Sequence, residues 1–193
     1  MPPPAPRPSP SLRDALALFC GAGSVASGTF GLAGWLFDVP ILTTWKPGAG
    51  PLAPLAAVMM VLLGSAIITA ADLAPRPRRR TPVTVLLLLT ALVSLVGVVL
   101  RVGGFEPGIE LLGLPISGTF EGMPVGMVSP ITASAFLVLS IAMLGAIADV
   151  ASLRVLARGV AAFLAASGLV LVVATLLGMP LLSAPVSIPA SLP

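Results

Sequence analysis

The chain has 193 residues, of which 57% are hydrophobic and 9% charged, with a net charge of +3 and a mean hydropathy of +1.11. Soluble domains carry about a quarter of their residues as charges, so this composition excludes an ordinary water-facing surface. The absence of histidine and tyrosine removes the commonest proton shuttle and metal ligand, and a single cysteine, Cys20, excludes an internal disulfide.

Residues 1–11 form a proline-rich tail, MPPPAPRPSPS, which cannot pack and is expected to be disordered. A first apolar span covers about Ala15 to Phe37. It is longer than a signal-peptide core and follows that tail, so it reads as a retained membrane helix. Its small residues (Gly21, Gly23, Ser24, Ser27, Gly28, Gly31 and Gly34) would admit a close neighbour, and Gly23, Ser24, Ser27, Gly28 and Gly31 are the expected helix-packing positions. The loop DVPILTTWKPGAGP follows, flanked by Trp35 and Trp45 as aromatic anchors at the water boundary.

The second span covers about Leu52 to Ala71, and DLAPRPRRR after it brings Arg76, Arg78, Arg79 and Arg80 together. A third span runs from about Val83 to Leu100, a long loop from Arg101 to Pro130, and a fourth span from Ile131 to Ala148. A short loop is expected to hold Asp149, Arg154 and Arg158 before a fifth span at about Val160 to Leu177. The fold class is therefore all-α, a polytopic transmembrane bundle of about five spans.

The arginines orient it. With the N-terminus in the cytoplasm, Arg7, Arg13, Arg76, Arg78, Arg79, Arg80, Arg154 and Arg158 lie inside and only Lys46 and Arg101 outside. Such asymmetry over short loops is the positive-inside pattern. The basic sequence pI of about 10.5 is thereby a matter of topology and implies no nucleic-acid partner. Five spans place the C-terminus outside.

The sequence also repeats at a spacing of about 75 residues. GPLAPLAAVMMVLLGSAIITAAD around the second span aligns with GMVSPITASAFLVLSIAMLGAIAD around the fourth, matching Pro54 with Pro130, Ala57 with Ala133 and Leu63 with Leu139. Asp72 falls within one residue of Asp149. Each unit is an outgoing helix, an outer loop and a returning helix in one orientation, so the repeats are parallel. They cover about 12–75, about 81–152 and, incompletely, about 157–193, within a single transmembrane domain over 12–193.

The outer loop GWLFDVPILT and the helix start SPITASAFLVL from Ser129 to Leu139, with the weaker APLAAVMMVLL from Ala53 to Leu63, carry a resemblance. Together they resemble the N-terminal membrane sensor region of bacterial sensor histidine kinases and of PAS or diguanylate-cyclase signalling proteins. The tail MPLLSAPVSIPASLP resembles the last outer loop of that region. The resemblance implies a returning sixth helix and an effector domain, neither of which follows here, so the chain reads as truncated before its effector. It also implies a bacterial cytoplasmic membrane, a homodimer, and a cytoplasmic effector as partner beside the lipid bilayer.

Candidate sites are few. Trp35, Asp38, Trp45, Glu106, Glu110 and Glu121 line the outer loops and are the candidates for meeting a ligand or signal. The three glutamates lack the Asp/Asn/Gly pattern of a calcium loop, and no metal site is expected from them. Met123, Met127 and Met179 read as gap-fillers before a soft-metal site. Asp72 and Asp149 sit at helix ends beside arginines, too shallow for an intramembrane proton or protease pair. Cys20 reads as a small packing residue. Serines have neither histidine nor a buried lysine to activate them, so no enzyme and no cofactor is expected. The expected function is a membrane-embedded sensory input module of two-component or cyclic-dinucleotide type; the alternative is a stand-alone small membrane protein, a transporter subunit or a helix-binding scaffold.

Overall fold

A computed structural model describes residues 12–44, 50–71, 80–103, 112–114, 119–120, 123–148 and 151–176. Lipid offers no partner to backbone N–H and C=O groups, so long apolar stretches close their hydrogen bonds within helices. The described helices are α1 (Leu12–Leu36), α2 (Pro40–Thr43), α3 (Pro54–Ala71), α4 (Arg80–Val102), α5 (Pro130–Ile147) and α6 (Ala151–Leu176). Five of them, all except α2, are long and apolar enough to cross a membrane. The protein is a membrane-embedded helical bundle. A two-residue antiparallel rung, β1 (Thr119–Phe120) with β2 (Met123–Pro124), is the sole ladder among the described residues.

Consecutive spans run antiparallel, and each packs chiefly on its neighbours in sequence: α1 on α3, α3 on α4, α4 on α5, α5 on α6. The arginine-bearing end holds the starts of α4 and α6; the opposite, upper end holds Trp35, Pro54, Arg101 and Pro130. Helix α3 is the hub, touching α1, α4 and more lightly α5, and 44% of its apolar window is buried. For α6 the share is 6%. Two apolar clusters fill the centre. Ala53, Leu55, Ala56, Met59, Val128 and Ala133 pack near the upper end, and Leu63, Ala66, Val83 and Leu87 lie below them. The fully buried hydroxyls Thr90, Ser94 and Ser140 each bond the carbonyl four residues back, which satisfies them within their own helices.

The fifth span departs from the sequence expectation. Arg154 and Arg158 are not in a loop but lie in the first turns of α6, which begins at Ala151. Leucine, alanine and arginine are all good helix formers, and arginine's long stem lets its head reach water from a helix end. The loop after α1 contains the unexpected turn α2, whose first residue Pro40 suits a helix start. The tail, Asp72, Asp149, Lys46 and residues 177–193 lie outside the described residues.

Candidate functional site

Among the described residues, the seam between α1 and α3 brings two helix backbones into direct contact. Gly21, Ser24, Gly28, Gly31 and Trp35 follow at alternating steps of three and four, which places them on one helix face. A Cβ built on Gly28 would lie 2.5 Å from the carbonyl oxygen of Ala57, and one on Gly64 would lie 2.7 Å from that of Gly21. These are backbone contacts that no other residue type permits without moving a helix. Ser24 Oγ donates across the seam to the carbonyl of Met60 at 2.9 Å.

Of the five positions expected to pack, Gly28, Gly31 and Ser24 face α3. Ser27 is half-buried and helps line a pocket of about 220 Å³ with Phe30, Ile41, Leu42, Thr44 and Leu52. Gly23 does not belong to the seam. It is exposed, with nothing within 4 Å of a built Cβ, because it sits about 200° round the helix from Gly21. Gly34 belongs instead to the contact with α2, where its missing Cβ leaves room for Thr43.

At the upper end the outer candidates find structural partners. Val39 N–H donates to the carbonyl of Gly34 at 2.8 Å, and Asp38 between them adopts φ 52. This is the left-handed residue that ends α1, a post glycine usually fills and aspartate tolerates. The Trp35 indole N–H donates to the carbonyl of Leu52 at 2.7 Å, and Leu52 N–H in turn donates to that of Thr43 at 2.7 Å. Sequence read Trp35 as a boundary anchor; its indole proton also ties α1 to the segment leading into α3. Across the bundle, Arg101 Nε–H donates to the carbonyl of Val128 at 3.0 Å. Trp45, Glu106, Glu110, Glu121, Arg76, Arg78, Arg79 and Met179 lie outside the described residues, while Arg80, Arg154 and Arg158 are exposed at the opposite end.

Comparison with family models, with curated proteins and with solved structures finds no match.

The last seam contrasts with the first. Between α5 and α6 runs an apolar groove of about 700 Å³, walled by Ile131, Val138, Leu156, Val160 and Phe163 with Ser134 as its one polar side chain. It continues into a lobe of about 250 Å³ beside Gly145 and Leu153. Built Cβ atoms on Gly159 and Gly168 would meet nothing within 4 Å. Among the described residues no group of three or more histidine, cysteine, aspartate or glutamate side chains comes together. Among the described residues the arrangement offers a pair of helices in backbone contact at one side and, at the other, a helix that packs chiefly on α5 beside an open apolar groove.

Proposed function

We propose that the chain is the membrane-embedded sensory input module of a bacterial signal-transduction protein, of two-component or cyclic-dinucleotide type. It sits in the cytoplasmic membrane with its N-terminus inside. One observation carries this reading, the uneven packing along the chain. A sensor needs two arrangements whose balance a stimulus shifts, and rigid-body or shear motion of one packed helix against another is the common way to provide them. The α1–α3 seam holds backbones in contact, and α6 packs chiefly on α5 beside an open groove, which supports a reading in which the first pair is the fixed reference and α6 the element that moves. The sequence resemblance supports the same reading; of the motifs that carry it, one runs from the end of α1 through α2 and two lie at the starts of α3 and α5.

Spin labels placed on exposed Thr29 of α1, Leu92 of α4 and Phe163 of α6 test it in lipid nanodiscs of two thicknesses. The Thr29–Leu92 distance is expected to be single and unchanged, and the Leu92–Phe163 distance to be distributed over two populations that shift with the lipid. One narrow Leu92–Phe163 distance in both lipids would sink the proposal. Reporter fusions after Arg80, after Glu121 and after Pro193 test the orientation, with the first expected inside and the other two outside.

A second reading, a helix-binding scaffold, is favoured by the unpartnered faces of α6, where Ala161, Ala165 and Gly168 are exposed. It expects a single α6 position that tightens when a partner helix is supplied.

A further inference from the structure

We infer that Trp35 and Arg101 are equivalent latches, each seating the start of a returning helix by donating to the carbonyl of the residue just before that helix's cap. The two upper corners are built from different residues, yet their glycines, donors, caps and prolines follow the same spacing. Helix α3 takes its first intrahelical bond on the carbonyl of Ala53, and α5 on that of Ser129, both at 3.0 Å. Those residues are the caps, each followed by proline as the first helical residue (Pro54 and Pro130). Neither cap is held by its own side chain: Ala53 has no polar group, and Ser129 makes no capping bond.

The residue before each cap, Leu52 or Val128, presents its carbonyl to a side chain of the outgoing helix: Trp35 donates at Leu52 and Arg101 at Val128. Both donors stand four residues, about one helical turn of 5.4 Å, beyond a glycine of the outgoing helix. A Cβ built on that glycine would lie 3.5 Å from the Cβ of the alanine three residues after the proline. The pairs are Gly31 with Ala57 and Gly97 with Ala133. The glycine sets how closely the helices approach, and the turn above it brings a long N–H-bearing side chain level with the waiting carbonyl.

This geometry accounts for a residue that topology does not. Arg101 is a cation at the end opposite the arginine cluster, against the charge bias that orients the chain. As a latch it supplies an Nε–H to the Val128 carbonyl, and an indole N–H serves the same post in the other corner. The inference holds for a scaffold as for a sensor, so it stands or falls apart from the sensory reading.

Accessibility of Val128 tests it, since that side chain is only 2% exposed. In full-length protein carrying Cys20→Ala and Val128→Cys, reconstituted in liposomes, a membrane-impermeant maleimide reports how often the corner opens. Arg101→Ala is expected to raise the labelling rate about tenfold, the size of one lost hydrogen bond to a charged donor. Arg101→Trp, which restores a donor without the charge, is expected to stay within about twofold of the parent. Arg101→Ala labelling like the parent overturns the latch, and Arg101→Trp labelling like Arg101→Ala overturns the equivalence. Should Arg101→Ala fail to insert and fold, the folding of Arg101→Trp decides: a folded Trp variant supports the latch, and failure of both overturns it.

Discussion

The seams at the two ends of the helix row are built from the same small residues and behave in opposite ways. Gly21, Gly28 and Gly64 are consumed by contact, each leaving space that the facing helix occupies, whereas Gly159 and Gly168 face nothing. Glycine content alone therefore does not make a tight seam. In a bilayer, where lipid tails are as apolar as the side chains, close packing and a few hydrogen bonds hold helices together. Between α1 and α3 the small residues of one helix fall opposite the backbone of the other, and Ser24 adds a bond. Between α5 and α6 bulky Phe163, Leu156 and Val138 stand along a groove instead.

The sharpest way to break the contrast is at Gly28. Gly28→Ala puts a methyl 2.5 Å from the Ala57 carbonyl oxygen, so the helices must separate. Overpacking of this kind costs about 1–3 kcal/mol, and Gly28→Leu should prevent the hairpin from closing. Thermal unfolding of the detergent-solubilised protein would show it, and an unchanged melting temperature for Gly28→Ala would mean that the seam is not closed as described. Next in size is Trp35→Phe, which keeps an aromatic ring and deletes the donor to Leu52. A carbonyl left without its partner should lower stability by about 1 kcal/mol, read in the same assay. Ser24→Ala removes one interhelical bond inside the membrane, where such bonds average about 0.6 kcal/mol; a loss above that would give the hydroxyl a role beyond the bond to Met60.

Much of this was legible in the sequence, and what was not has a physical explanation. The spans were, because an apolar run such as Val83 to Leu100 has no stable form in lipid other than a helix, and α4 covers it with a turn or less to spare at either end. The start of α6 was not, because Arg154 and Arg158 look like loop residues when charge alone is read. The packing face of α1 was half legible. Small residues announce a close neighbour, but only their helical phase separates Gly21 and Gly28, in the seam, from Gly23 outside it. The corners were hidden most completely. Trp35 and Arg101 have obvious sequence readings, an interfacial anchor and a topological charge, and the carbonyls they meet lie 17 and 27 residues away along the chain.

The smallest expected effects lie in α6, and their sign is informative. Gly159→Ala and Gly168→Ala each add a methyl where nothing lies within 4 Å. In exposed helix interiors alanine is favoured over glycine by about 0.8–1 kcal/mol, and within a membrane, where backbone bonds are already strong, less of that should be realised. Both variants should therefore melt at or slightly above the parent in detergent. If either melts lower, a surface already lies against that glycine, and crosslinking at the neighbouring Ala165 would show whether that surface is a second copy of the chain. A neutral or stabilising result leaves this face of α6 open, as the contrast between the two seams expects.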